Sequence, residues 1–556
     1  MIQTKTIDGV LLRDMVVAGA AMLEKNREAV DALNVFPVPD GDTGTNMSLT
    51  MASATKEVSQ KEYLNACDAA AAVAKGALRG ARGNSGVITS QLFRGFARAL
   101  DGVERITPRQ FAAALQRGAE TAYKAVMKPK EGTILTVARV IAEEAVKQAE
   151  QTPDDYEALF TNILTTGEAI LKKTQQMLPA LTQAGVVDAG GRGLLHIYRG
   201  YVCCLRGEEL TDAVEEAADG NGEFVDEHDL SGEIKFAYCT EFCIQNLFSD
   251  ILEEDIDSFR RRLNRIGDSV QVSGDLSRVK VHVHTNEPSK ALEYGLSLGE
   301  LVDIKIDNML QQRRDKQAAE QQANPQPAEE AGEEQPAKEY GMVAVSLGDG
   351  FHQIFADLQV DSIVEGGQTM NPSIEDLSEA INKTHASTVF VLPNNGNVIL
   401  AAQQAAQLCE NKKVLVIPTK NVAMGIAAAI AFQPEASPEN NAVRMEEAAQ
   451  SVRTGTVTYA VRDTELDGLH IKEGDIIGLY NGKIQTVGNS VHDVTRDLMK
   501  EIVTEDDELI TVYYGKDTAE ADAQALTDEM TQAYPQCDVD MQMGGQPLYY
   551  YLVSVE

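Results

Sequence analysis

The spacing of apolar residues changes character twice along this 556-residue chain. From Asp8 to about residue 200 the apolar positions recur at helical intervals. Leu12, Met15, Val16, Gly19, Met22 and Leu23 fall on one face of a first helix that Asp8 can cap. Ala-rich stretches follow at 66–77, 111–126 and 138–149, separated by Gly- or Pro-containing turns at Pro37–Gly44, Gly80–Gly86 and Lys128–Gly132. No segment alternates as a strand would. The pattern predicts an all-α domain over residues 1–206.

Residues 207–232 are acidic and rich in Gly, which reads as a linker. Over 233–310 strand-like and helix-like runs succeed one another as β-α-β-β-α-β, the order of a small ferredoxin-like α+β domain. Residues 311–339 contain no Leu, Ile, Val, Met or aromatic residue and are mostly Gln, Ala, Glu and Pro. Such a segment cannot bury enough apolar surface to offset its ordering entropy, so a disordered tether is expected. From 340 to 556 short apolar strands alternate with helices: Met342–Ser346, Ser362–Val364, Thr388–Leu392 and Lys413–Ile417. This predicts an α/β domain built on a parallel sheet, turning more strand-rich after about residue 452. The chain is therefore read as multidomain.

Composition narrows the partners. There are 49 basic and 85 acidic residues, a net charge of −36. That field repels nucleic acid and anionic membrane surfaces. The seven cysteines are irregularly spaced, which favours a reducing, cytoplasmic setting over a disulfide framework. The N-terminal residues show no secretory h-region, and the longest apolar run, Val422–Phe432, is too short to cross a bilayer; no transmembrane segment is expected.

Candidate chemistry begins at Asn34–Met47. Asp40-Gly41-Asp42 places two carboxylates in one tight turn, and such a hard oxygen pair suits Mg²⁺ with substrate phosphates. Thr43-Gly44-Thr45-Asn46-Met47 then opens a helix, whose first backbone N–H groups can seat phosphate. An Asp-capped surface turn is the alternative for the acidic triplet alone. Three further loops accompany it: Gly80–Gly86, Lys128–Thr133 and Val187–Gly191. No Gly-x-x-x-x-Gly-Lys-Ser/Thr run occurs, so a P-loop is excluded.

The run from Pro37 to Met47, followed by Gly80-Ala81-Arg82-Gly83-Asn84-Ser85-Gly86 and the two later loops, resembles the all-α nucleotide-binding domain of the dihydroxyacetone kinases. The whole chain is similar to the catalytic components of the bacterial fatty acid kinase family, with a DegV-like C-terminal lobe. The resemblance implies ATP and Mg²⁺ as cofactors. Asp40 and Asp42 would hold the metal. The family's third, upstream carboxylate is absent, and Asn34 is the nearest candidate. Gly44, Thr45, Asn46 and Met47 would contact the nucleotide, with Ser85 and Gly86 as a second phosphate loop and Asp188 and Gly190 nearby. The implied reaction phosphorylates the carboxylate of a fatty acid presented by a separate fatty-acid-binding carrier protein. The acyl phosphate would serve phospholipid synthesis. A small-polyol kinase of the dihydroxyacetone type, or a nucleotide-responsive scaffold, are the alternatives.

In the middle domain, His282 and His284 share one strand face, and Cys239 lies on the first strand of the same domain. Cys plus two His is a three-ligand zinc set, structural or catalytic; two polar residues on a solvated face is the other reading. The resemblance favours zinc. In the C-terminal domain the loops Val364–Ser373 and Leu392–Asn397 follow strand-like runs, where open α/β sheets bind ligands. This lobe is expected to bind the carrier or to mimic it. A homodimer is the working expectation for assembly.

Overall fold

The computed structural model describes residues 2–34, 41–208, 238–308 and 338–556, apart from residue 3 and short stretches at 246, 249–252, 275–277, 287, 368–369, 461–463, 467–468 and 482. It divides into two compact units, 219–335 forming one and the rest of the chain the other. The expected linker 207–232 and tether 311–339 fall almost wholly outside the described residues.

Every described element between residues 9 and 206 is a helix. These are α1 (Gly9–Lys25), α2 (Arg27–Asp31), α3 (Thr43–Ser59), α4 (Ala66–Arg79), α5 (Gly83–Ala99), α6 (Pro108–Ala125), α7 (Ile134–Gln151), α8 (Tyr156–Met177), α9 (Pro179–Ala184) and α10 (Ala189–Arg206). The Asp8 side chain accepts from the Leu11 backbone N–H and starts α1, whose predicted apolar face is the buried one. Thr107 and Gln110 form a reciprocal capping box at the start of α6. Helix α10 runs through the core and packs on α1 at small residues. A Cβ on Gly200 would lie 2.4 Å from the Ala18 carbonyl oxygen, so only glycine allows the two backbones this close.

His196 on α10 is 7% exposed, and its Nδ1 has no hydrogen-bond partner. Burial, then the Arg199 and Arg192 charges, push its pKa down to about 4 from an ordinary 6.5. A depressed His pKa means that the unfolded chain binds the proton more readily. Stability is therefore full above about pH 6.5 and falls as pH drops toward 4. This should remove about 2 kcal/mol between pH 7.5 and pH 5. Asp188 works in the opposite sense, because burial raises its pKa to about 6. The His196 contribution is read by difference: urea melts of His196→Leu should lose less stability between pH 7.5 and pH 5 than the native chain does.

The middle unit has the predicted order, β1 (Tyr238–Gln245), α11 (Glu253–Ile266), β2 (Gly267–Gly274), β3 (Arg278–Thr285), α12 (Pro288–Leu296) and β4 (Glu300–Asn308). Its sheet runs β2-β3-β1-β4, with β3 and β4 antiparallel to the central β1. Phe242, Ile244, Phe259, Leu263, Val279, Val281 and Val283 form its core.

The C-terminal region opens with β5 (Lys338–Ser346), α13 (Asp349–Asp357), β6 (Ser362–Glu365), α14 (Ile374–Lys383), β7 (Ala386–Leu392), α15 (Ile399–Leu408) and β8 (Lys413–Val416). These strands make a parallel sheet in the order β6-β5-β7-β8. Then come α16 (Val422–Ile430), α17 (Pro438–Ser451), β9 (Arg453–Tyr459), β10 (Thr464–Leu466), β11 (Leu469–Ile471), β12 (Ile476–Tyr480), β13 (Lys483–Gly488), α18 (Val491–Ile502), β14 (Leu509–Tyr514), α19 (Glu520–Ala533), β15 (Asp538–Met543) and β16 (Tyr551–Val555). A six-stranded sheet, β13-β12-β9-β16-β14-β15, organises this strand-rich part. Ala81 and Val87 of the helical domain belong to the same buried cluster as Val343, Ile374 and Val389. The helical and α/β domains thus share a continuous core rather than hanging apart. Among the described residues, no helix is long and apolar enough to cross a membrane.

Candidate active site

Gly41 adopts φ +45°, the left-handed backbone that a side chain disfavours, and turns the chain into Asp42. Asp42 stands at the N-cap of α3 yet makes no capping bond there. Its carboxylate instead receives two side-chain amides: Asn371 Nδ2 reaches Oδ2 at 2.5 Å, and Asn34 Nδ2 reaches Oδ1 at 3.4 Å. Asp42 is 9% and Asn371 2% exposed, and Asn371 Oδ1 is buried without a partner. Capping falls to Asp31. It accepts from the Thr45 N–H at 3.1 Å and the Thr45 hydroxyl at 2.8 Å, and also from the Gly44 N–H. Burial raises the Asp31 carboxyl above its ordinary range, and these hydrogen bonds and Arg27 oppose the rise.

The second loop lies beside α3. Gly83 has φ +55°, and a Cβ there would come within 2.5 Å of Asn46 Nδ2. The α/β domain is stitched to this loop. The Arg82 guanidinium donates to the Asn371 carbonyl at 2.8 Å and lies 3.5 Å from Asp376. Arg82 and Ser373 form a β-bridge, the Ile374 N–H donates to the Ala81 carbonyl, and Asn84 Nδ2 donates to Asn397 Oδ1 at 2.9 Å.

Between these segments lies a cavity of about 720 Å³. Asn34, Asp42, Thr43, Asn46 and Ser85 line it from the helical domain. Asn395, Asn397, Lys420, Asn421 and Tyr549 line it from the α/β domain. That volume lies within the range of small-molecule sites. Among the described lining residues Asp42 is the sole anion and Lys420 the sole cation. Each oxygen of the Asp42 carboxylate has an amide N–H donor within reach.

Three family models match this chain. One is the DAK2 domain over residues 37–203. The others are the middle and C-terminal domains of the FakA-like fatty acid kinase proteins, over 235–316 and 341–556. Protein YloV of Bacillus subtilis (strain 168) is 44% identical over 560 residues, covering 99% of this chain and all of YloV. The chain belongs to the FakA-like fatty acid kinase family. A Staphylococcus saprophyticus relative is 41% identical over 555 residues, 99% of each chain. A solved Streptococcus pneumoniae fatty acid kinase B3 protein, loaded with linoleic acid, covers 39% of this chain and 99% of its own. Its identity is 12% and its TM-score 0.29, too low to define a shared fold. With a DAK2 domain and the family's own C-terminal domain, this chain is a kinase of the phosphotransferase class. The cavity lies between those two domains.

Of the residues expected at the nucleotide in this FakA-like protein, Asp42, Asn34, Asn46 and Ser85 converge on the one cavity. Others do not. Met47 is fully buried in the helical core, where Gly193 packs against its sulfur. The Thr45 donors are held by Asp31. Gly44 and Gly86 secure backbone approach: a Cβ on Gly44 would lie 2.3 Å from the Arg27 carbonyl, and one on Gly86 2.4 Å from Thr50 Oγ1. The Asp188 carboxylate accepts from the Gly191 N–H at 2.7 Å and from the Ile134 N–H, joining the starts of α10 and α7. Gly190 packs on Ile134, and neither Asp188 nor Gly190 lines the cavity. Asp40 lies outside the described residues.

In the middle unit the strand register sets Cys239 opposite His284 and Glu241 opposite His282. The side chains of Cys239 and His282 lie outside the described residues. Among the described residues, no group of three or more His, Cys, Asp or Glu side chains is placed to hold a metal. Two residues escape a reading of the sequence. Asp31 is a carboxylate upstream of the acidic turn, findable as a cap partner. Lys420 gives no local signal.

Proposed function

We propose that this chain transfers the γ-phosphate of ATP to the carboxylate of a fatty acid held by a separate fatty-acid-binding carrier, producing an acyl phosphate for phospholipid synthesis. The observation that carries this reading is the Asp42 carboxylate, gripped by Asn371 and Asn34, in a cavity that the DAK2 and C-terminal domains build together. Asp42, Asp40 and Asn34 would hold Mg²⁺, which neutralises phosphate oxygens during phosphoryl transfer. Asn371 fixes the orientation of the Asp42 carboxylate. Ser85 offers a hydroxyl to phosphate. A fatty acid carboxylate is ionised near neutral pH, so the acceptor needs no general base. Its approach brings two anions together, and Lys420, which lines the same cavity, would offset that repulsion.

Zinc on Cys239, His282 and His284 belongs to the same reading, and metal analysis of the purified full chain tests it. The central test is an acyl-phosphate assay with fatty-acid-loaded carrier, comparing the native chain with Asp42→Ala. Product should require carrier and Mg²⁺, and should vanish in the variant. Robust turnover of dihydroxyacetone without any carrier would overturn the acceptor assignment. Lys420→Ala should lower kcat/KM by roughly 10- to 150-fold, the range of a lost hydrogen bond to a charged group, with Lys420→Arg recovering part of it. An unchanged kcat/KM in Lys420→Ala would remove the lysine from the site.

A further inference from the structure

A second cavity, of about 630 Å³, lies between α5 and α6 of the helical domain and α15 and β8 of the α/β domain. It shares no lining residue with the cavity that holds Asp42. We propose that it is a binding site for a compact, multiply charged phosphate anion, either free pyrophosphate or the phosphate chain of a nucleotide.

The argument begins with the helix crossing. A Cβ on Gly95 would lie 2.4 Å from the Arg117 carbonyl oxygen, and one on Gly118 would lie 2.7 Å from the Leu92 carbonyl. Helices α5 and α6 therefore touch backbone to backbone. Arg94 and Arg98 are one turn apart on α5, and Arg117 and Lys124 are two turns apart on α6. All four line the cavity, so the crossing brings four cations around one space. The opposite wall comes from the α/β domain. Gln91 Nε2 donates to Gln404 Oε1 at 3.1 Å, a buried bond that ties that wall to the helices.

No carboxylate is among the described residues lining this cavity. That is unexpected in a chain with 85 acidic and 49 basic residues, where a surface cation readily finds a partner. Elsewhere in the helical domain Arg192 and Arg199 share Glu168, and Arg206 pairs with Glu157. Here Arg94, Arg98 and Lys124 form no ion pair among the described residues, and Arg117 reaches only the exposed Glu120 on its own helix. Burial, and then the neighbouring Arg98 charge, lower the pKa of Arg94. Guanidinium forks match phosphate oxygens bidentately, and several charges in one concavity favour more than one phosphate group. Because both domains contribute walls, an occupant would hold them together.

The test uses the full chain and isothermal titration with inorganic pyrophosphate, with ADP as the second arm. Pyrophosphate should bind the native chain, and the double variant Arg94→Gln/Arg98→Gln should bind it about tenfold or more weakly. The charge-preserving Arg94→Lys/Arg98→Lys pair should recover part of that affinity. The melting temperature of the unliganded variant checks that it folds. Pyrophosphate binding by Asp42→Asn should match the native value, which separates this site from the kinase cavity. Competition by ADP in the native chain but not in the double variant identifies a nucleotide as the source; no competition identifies free pyrophosphate. No pyrophosphate binding to the native chain, or equal binding by the Arg94→Gln/Arg98→Gln variant, would overturn the proposal.

Discussion

Asp42→Asn should lower kcat/KM for phosphoryl transfer by about a thousandfold, or about 4 kcal/mol of transition-state stabilisation. The substitution keeps the volume of the side chain and removes its charge. Two amides, Asn371 and Asn34, already surround this carboxylate. An asparagine there can still accept a hydrogen bond through its own oxygen, so the fold is expected to persist. What it cannot do is hold a divalent ion as a hard anionic ligand. Steady-state kinetics over a Mg²⁺ series should show a collapse of kcat and a large rise in the Mg²⁺ requirement. Asp31→Asn is the informative contrast. Asp31 caps the start of α3 through Thr45, so its loss should cost about 1–2 kcal/mol of stability. The two variants would separate a metal-binding role for Asp42 from the helix-capping role of Asp31. If Asp42→Asn retains native turnover, the metal assignment fails.

Asn371→Ala should reduce kcat/KM by roughly 10- to 150-fold, the equivalent of about 1.5–3 kcal/mol for a hydrogen bond to a charged group. The residue comes from the α/β domain and reaches a carboxylate 329 positions earlier in the chain. It is 2% exposed, and its backbone carbonyl is fixed by Arg82, so the amide has little freedom to swing away. Truncation removes the shorter of the two amide contacts, 2.5 Å against 3.4 Å to Asn34, and loosens the hold on the Asp42 carboxylate. The expected signature is a raised Mg²⁺ requirement with a near-native melting temperature. A merely structural residue would show the reverse, a lowered melting temperature with the Mg²⁺ dependence intact. That outcome would strip Asn371 of its positioning role.

Much of the helical domain is written in local pattern. Asp8, the 3.6-residue spacing of Leu12 to Leu23 and the glycine-bearing turns each act within a few residues, and the helices they imply are present. The middle unit is legible for the same reason, since strand alternation and the amphipathic Glu253–Ile266 helix are short-range signals. The loop Val364–Ser373 stands out as a ligand position because it follows a parallel strand, and its Asn371 does reach Asp42. Met47 follows the phosphate-like run in sequence, yet its side chain lies in the helical core. A helix turns 100° per residue, so Asn46 can face the cavity while Met47 faces the core. Thr45 misleads because its donors look free along the chain, whereas Asp31 on the preceding helix takes them.

By itself the sequence determined the acidic turn, the glycine loops, the helical and α/β halves and the family to which they belong, because each is encoded by neighbours along the chain. The tertiary structure decided what those pieces enclose. It packed Ala81 and Val87 into the core of the α/β domain, brought Asn371 to Asp42, and put Lys420 on the wall of the same cavity. Contacts of that kind have no period and no fixed spacing. They exist only because two apolar surfaces, hundreds of residues apart in the chain, bury each other and carry their polar edges into one site.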